Sequence, residues 1–461
     1  MKLKQWGVTG IVLLAMSVWV TGPVVAGNLD SPGAPESTMY TLEQIYERLE
    51  AMETRIGEGE DAAADHGAGT GDFEPTTGPA STMHTLAEIY NRIHAIDGAI
   101  GGLIGDAPTW LAPVPRTGVT TSYGIGDDGA LEKGVAWTDP RFEDNGDGTV
   151  TDNLTGLVWL QEANCMPEVW WNVALEDVFW LSAEDSTPNP NFTCELTDGS
   201  SPGDWRMANI RELYSLFSFG AQPVDSVFVH SGPSEFWSST SWFEDPGARA
   251  LTASTGKTII PREKNTNYRP WPVRGPLEGT WDAPVPQTGQ TTSHDGSPNR
   301  DDGALQTGVE WPKPRFTDNE DGTVTDNLTG LVWMKNANCW NGPSSHWNEA
   351  LEDGWMVVKE GFCGLEDGSS AGEWRLPNIL ELHSLVSYTE DTDIFGLPKH
   401  HPFQNVVVDG FYWSSTANPF EGNHVYSIRF GGGLISGSNH RIRSHHRNNV
   451  DNNYFWPVRD P

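Results

Sequence analysis

Two stretches carry most of the side chains that could do chemistry. Asp144, Asn145, Asp147 and Asp152 fall in DNGDGTVTDNLTGLVW at 144–159; Asp318, Asn319, Asp321 and Asp326 fall in DNEDGTVTDNLTGLVW at 318–333. Oxygen ligands in a glycine-rich loop suit calcium, a hard cation. The helical calcium-loop template fits them badly. Aligning its Asp-Gly on Asp147-Gly148 puts Glu143 in the first ligand position, and Thr317 there in the second copy. Asn-Gly and Asp-Gly are also hairpin signals, because these residue types tolerate positive φ. The hairpin is the preferred reading, and calcium is the one cofactor this set could take.

The other stretch is cationic, HRIRSHHR at 440–447. If extended, Arg441, Arg443, His445 and Arg447 share one face. Lys257 and Arg262 occupy the same region of an earlier copy. Such a strip could hold a carboxylate or sulfate; a solvated face neutralising nearby acids is the plainer account. Trp237 and Trp413, each followed by Ser-Ser-Thr, are candidates for stacking on a ligand if they face solvent. The other matched tryptophans are read as core anchors. No G-x-S-x-G elbow surrounds these serines and no ordered acid–base pair is evident, so no enzymatic activity is expected. Asn209 with Glu212, and Asn378 with Glu381, read as helix N-caps with their capping-box glutamates.

The elements that position these residues come in two copies. APVPRTG at 112–118 returns as APVPQTG at 283–289, DDGAL at 127–131 returns at 301–305, and GDWRMANIRELYSL at 203–216 returns as GEWRLPNILELHSL at 372–385. Trp-Ser-Ser-Thr and a closing Trp-Pro-Val-Arg recur in order. Residues 112–277 and 283–461 are therefore two tandem modules of single-domain size. Short strands, an Asn-Gly hairpin, a helix over about 170–178 and another capped by Asn209 give each module an α+β class. Cys165, Cys194, Cys339 and Cys363 are the four cysteines. Their spacing pairs them within each copy, Cys165–Cys194 and Cys339–Cys363, and lacks the spacing of a zinc site.

Residues 1–26 read as a signal peptide: Lys2 and Lys4 precede a short apolar run and Val24-Val25-Ala26 offers a cleavage site. Export follows, to the cell surface, periplasm or medium, with no membrane insertion after cleavage. Residues 27–111 form an acidic linker holding two short helical repeats at about 41–56 and 85–103. Their apolar residues step by three and four as in a heptad seam, which favours a homo-oligomer. The formal charge of −35 over 461 residues disfavours nucleic acid.

The blocks RFxDNxDGTVTDNLTGLVW, G-[DE]-W-R-x-x-N-I-x-E-L-x-S-L, W-S-S-T and W-P-V-R, taken in this order, resemble a bacterial exported-domain family. It is named for the C-terminal domain of a collagen-like adhesin of Legionella. The resemblance covers 141–275 and 315–461 and implies two C-type-lectin-like modules. The adhesin is a trimer that binds sulfated polysaccharide. The chain carries no Gly-X-Y tract and is strongly acidic, so the scaffold transfers more directly than the ligand. The expected function is adhesin-like binding of a glycan or anionic polysaccharide; the rival is an envelope-assembly protein that binds a surface protein.

Overall fold

The structure is a computed structural model. It describes residues 110–461 apart from 184–193, 221–226, 230–234, 244, 255–256, 297–299, 340–341, 343–345, 356–361, 390–395, 408–409, 431–441 and 449–452. The expected signal peptide and N-terminal heptad helices lie outside the described residues, as does Arg441. The described residues belong to one compact unit, Trp110–Pro461.

Each module is mixed α and β. In the first, β1 (Phe142–Asp144), β2 (Thr149–Asp152) and β3 (Val158–Leu160) form an antiparallel meander, joined by β9 (Pro272–Arg274) and β4 (Arg206–Met207). Helix α2 (Trp171–Trp180) packs against β4, while α3 (Ile210–Ser215) packs on the next two strands in the chain. Helix α2 buries Trp171, Ala174, Leu175 and Val178, an i, i+3, i+4, i+7 stripe. The strands β5 (Glu235–Ser241), β6 (Arg249–Ser254), β7 (Ile259–Glu263) and β8 (Arg269–Pro270) complete the module. The second module repeats this with β10 (Phe316–Asp318), β11 (Thr323–Asp326), β12 (Val332–Met334), α5 (Trp347–Trp355), α6 (Ile379–Ser384), β13 (Phe411–Ala417), β14 (His424–Arg429), β15 (Ile442–His446), β16 (Asn453–Tyr454) and β17 (Val458–Arg459).

The two modules share one sheet. Its strand order is β16-β13-β14-β15-β7-β6-β5-β8, and the seam is the antiparallel pair Ile442↔Ile259. The order reads alike from both ends, as a pseudo-two-fold axis through the seam requires. Both seam residues are fully buried, so each module covers the other's sheet edge. Across the same junction Arg211 donates from Nη2 to the carbonyls of Ser384 (3.2 Å) and Val386 (2.5 Å). The Tyr214 and His383 rings meet edge to face at 4.8 Å. Arg211 stands where the second copy has Leu380, so this tie runs one way only.

The repeated opening stretch is a hairpin. β1 and β2 pair in the register Phe142↔Asp152, and Asn145 N–H donates to the Thr149 carbonyl at 3.1 Å. The acidic side chains close the turn: Asp144 accepts from Gly146 N–H and Asp147 from Thr149 N–H. Gly148 sits at φ +87°, and a Cβ there would lie 2.0 Å from the Glu195 carbonyl oxygen. Gly148→Ala therefore meets both a backbone and a steric penalty, and should destabilise by about 2–4 kcal/mol in chemical denaturation. Gly146→Ala serves as control, since a Cβ there meets nothing within 4 Å and only the backbone term remains.

Five matched pairs of tryptophans are almost wholly inaccessible: Trp159/Trp333, Trp171/Trp347, Trp205/Trp374, Trp237/Trp413 and Trp271/Trp456. The expected stacking role of Trp237 and Trp413 is thereby corrected. Both are 0% exposed, and Trp237 donates its indole N–H to the Val169 carbonyl at 3.0 Å. The disulfides join Cys165–Cys194 and Cys339–Cys363, the pairing expected from the spacing.

Candidate functional site

The lead-in segments do not fold onto the modules they precede. The first arm, residues 110–137, docks mainly on the second module. Ala112 N–H donates to the Leu328 carbonyl (2.9 Å), Asn378 Nδ2 to the Lys133 carbonyl (3.3 Å), and Lys133 Nζ lies 2.6 Å from Asp460. The second arm, residues 281–311, docks on the first module. Ala283 N–H donates to the Leu154 carbonyl (3.1 Å) and Gln290 Nε2 to the Ser241 carbonyl (2.7 Å). The Trp110 ring lies against Gly330 and the Trp281 ring against Gly156, where a side chain would collide.

Each arm ends its excursion in a one-turn helix, α1 (Asp128–Leu131) and α4 (Asp302–Leu305). The first residue of each is buried in the opposite module. Asp128 Oδ2 accepts from Thr117 Oγ1 at 2.6 Å within the arm and from Thr416 Oγ1 at 2.8 Å across the interface. Asp302 Oδ2 accepts likewise from Thr288 (2.6 Å) and Thr240 (2.8 Å). The threonines relay: Ile210 N–H donates to Thr240 Oγ1 and Ile379 N–H to Thr416 Oγ1, both at 3.0 Å. Burial raises the carboxyls of Asp128 and Asp302 from 3.8 to about 7, against the lowering effect of their threonine hydrogen bonds.

The shared motifs acquire roles here. Asn209 and Asn378 cap α3 and α6 with full capping boxes, as expected. Their glutamates are held bidentately, Glu212 by Arg206 at 2.6 Å twice and Glu381 by Arg375 at 2.7 Å twice. Arg, Asn, Glu and Thr of the repeated blocks therefore build the cradle for an arm. Ser238 and Ser414 donate to the carbonyls of Leu251 and Tyr426, so these hydroxyls serve the sheet. Sequence reading missed Asp128 and Asp302. Their signal was the repeated DDGAL.

Beside the first arm lies a half-open cleft of about 450 Å³. Its walls include Trp110, Arg116, Glu132, Lys133, Glu381 and Asp460. Its charges are paired: Arg116 with Glu132 at 3.1 Å, Lys133 with Asp460, and Asp460 also with Arg375 at 2.8 Å. Burial pushes Asp460 up, but Arg375 and Lys133 outweigh it and hold the carboxyl below its usual range.

The residues singled out from sequence lie elsewhere. Asp152 is buried and pairs with Arg141 through Nε (3.1 Å) and Nη2 (3.0 Å), and Asp326 pairs with Arg315 in the same way. Asn145 bridges Thr149 and Thr151, Asn319 bridges Thr323 and Thr325, and Asp321 accepts from Thr323. Asp318 accepts from Glu320 N–H, as Asp144 does from Gly146, and also pairs with Lys335. Among the described residues, no three His, Cys, Asp or Glu side chains form a set that could hold a metal ion. The proposed calcium octet is thus divided between hairpin turns and buried ion pairs.

The described members of the cationic strip are also dispersed. His445 is buried, its Nδ1 2.7 Å from Ser427 Oγ, because its side of β15 faces the core. Arg262 pairs with Glu235 at 2.7 Å. Lys257 is buried over the Phe420 ring at 4.7 Å, and burial lowers its ammonium to about 8. Arg447 is half-buried and donates its backbone N–H to the Asn423 carbonyl. The side chain of Arg443 lies outside the described residues.

Comparison with curated proteins and with solved structures gives no match. A family model does match, the Lcl C-terminal domain, over residues 148–274 and again over 322–459. These spans begin at the glycine that closes each hairpin turn and contain the tryptophan cores, the capping asparagines and the Arg, Glu and Thr of the arm cradles, and leave the arms themselves outside. The two matches cover more than half of the sequence, and the chain belongs to the Lcl C-terminal domain family, of which it carries two tandem copies.

Proposed function

We propose that this is an exported, non-enzymatic, adhesin-like binding protein with two lectin-like modules, and that the cleft beside Trp110 is its glycan site. Family membership supports adhesin-like binding, and the two disulfides fit an exported chain. The observation that carries the ligand class is the cleft's composition: an indole beside two cations and three carboxylates. An indole can stack on the apolar face of a sugar, and paired charges present both donors and acceptors to hydroxyls. Pairing of both cations leaves little attraction for a sulfated polymer, so a neutral glycan fits better.

A glycan array probed with the full chain tests this. Trp110→Ala should weaken the best binder at least tenfold, about 1.4 kcal/mol. Trp281→Ala removes the equivalent packing on the other module, away from the cleft, and should leave affinity unchanged. Equal loss in both variants, or an array that stays silent, would sink the assignment. Silence accompanied by specific capture of an envelope protein would favour the assembly reading.

A further inference from the structure

The arm–cradle interfaces differ between copies in their charges. The first arm carries Arg116, Glu132 and Lys133 where the second carries Gln287, Gln306 and Thr307. Its cradle ends in Asp460 where the other ends in Gly275. Lys133 and Asp460 meet at 2.6 Å. On the first module the equivalent Thr307 makes only neutral contacts, receiving Asn209 Nδ2 at its carbonyl (3.4 Å) and hydroxyl (3.3 Å). The first arm and the second cradle are thus matched by charge, and every crosswise mismatch loses that match.

Connectivity alone would not call for such a code. The second arm follows directly on the first module and reaches that cradle through a short link. The first arm closes on a cradle that begins more than 150 residues downstream of it. Its Tyr123 packs on the apolar cluster of Trp347, Leu351 and Trp413, its Val114 and Val119 are buried in the main core, and Phe219 N–H of the first module donates to its Thr117 carbonyl at 2.8 Å. An arm packed this way can change cradles only while the chain folds, when arm and cradle are both still open.

We propose that the second-module cradle is a docking site for the first arm of another copy of this chain, so that chains associate by exchanging arms. The contacts in the exchanged pair would be those of the single chain, which is why such exchange has a low thermodynamic cost. The charge match selects the first arm over the second when both compete for the cradle.

Two full-length variants test this, Lys133→Asp and Asp460→Lys. A carbodiimide joins an amine to a carboxylate in contact, so the wild-type chain should give a cross-linked peptide joining residues 133 and 460. Neither variant alone can form the Lys133–Asp460 link, because each lacks one partner. The variants are unfolded together with disulfides intact, refolded as a mixture at high concentration, and cross-linked. A Lys133–Asp460 peptide in the mixture can only arise between chains. Its appearance, absent from either variant alone, is the expected result. Its absence from a mixture whose chains are folded, while wild type gives it, would overturn the proposal. Circular dichroism establishes folding. Should either variant fail to fold, wild-type chains of natural and nitrogen-15 composition replace them. Mixed-isotope 133–460 peptides then support exchange, and same-isotope peptides alone overturn it.

Discussion

Replacing Asp128 and Asp302 together by asparagine is expected to flatten the dependence of stability on pH between about 5 and 7.5. Both carboxyls sit near 7 in the folded chain because burial disfavours their charge, against 3.8 when exposed. A folded pKa above the unfolded one means that the native state holds the extra proton. The contribution is therefore complete below about pH 4 and is lost as pH rises towards 7. Three units correspond to about 4 kcal/mol per site as an upper figure, and roughly half of that falls within the measured window. The facing charges point the same way at Asp302, where Glu212 and Asp301 add to the rise, while at Asp128 Glu381 raises and Arg375 lowers.

Four other shifted groups act outside this window. Asp318 and Asp460 are held below the usual carboxylate range, so their contributions fail only in stronger acid. Lys257 and Lys264 are lowered to about 8 by burial, so theirs grow at higher pH. Asparagine keeps an oxygen for both threonine hydroxyls and titrates nowhere. Urea midpoints at intervals across pH 5–7.5 should fall for wild type and stay level for the double variant. Parallel slopes in the two proteins would show that the arms are not held by neutral acids.

Much of the local structure was legible in the sequence because its causes are local. Asn209 and Asn378 cap helices since each has a glutamate three residues on, and the Asn-Gly turn closes within six residues. The cysteines pair within copies, across separations of only 29 and 24 residues. The arm exchange was not legible. APVPxTG and DDGAL precede each module in the chain, and nothing in a linear pattern says which of two similar cradles an arm will fill. The copy-specific charges at 116, 132, 133 and 460 carry that information, but they can be read as pairs only when the partners are seen together. The burial of His445 was not legible for a related reason. Alternation puts His445 on one face of β15 without saying whether that face meets water, and here it meets Ser427 and the Trp413 ring. Trp237 and Trp413 stayed open as stacking candidates because of their polar Ser-Ser-Thr neighbours. Those hydroxyls turn out to be buried too, satisfied by sheet carbonyls, helix N–H groups and the arm acids.

Arg141→Ala should be the costliest single change among the ion pairs of the first module, at about 3–5 kcal/mol, because it strands a buried carboxylate. Asp152 is 0% exposed. Arg141 supplies two of its hydrogen bonds, while Leu154 N–H (3.1 Å) and Thr155 Oγ1 (2.9 Å) supply the rest. The guanidinium also donates to the Ser215 carbonyl at 2.6 Å, which ties the hairpin to the end of α3. Adding Asp152→Asn removes the stranded charge, keeps Oδ1 for Leu154 N–H, and presents Nδ2 to the Thr155 hydroxyl, which can turn to accept. The double variant should therefore recover about 1–2 kcal/mol relative to Arg141→Ala alone, the reverse of what additive losses would give. Burial also shields the pair from screening, so 1 M salt should leave its coupling nearly unchanged. The exposed Lys313–Glu310 pair, with side chains 85% and 71% accessible, should contribute little under any condition. A double-mutant cycle by urea denaturation at low and high salt reads both results. Additive losses at 141 and 152 would mean that the pair does not set the register of the duplicated hairpin as its geometry indicates.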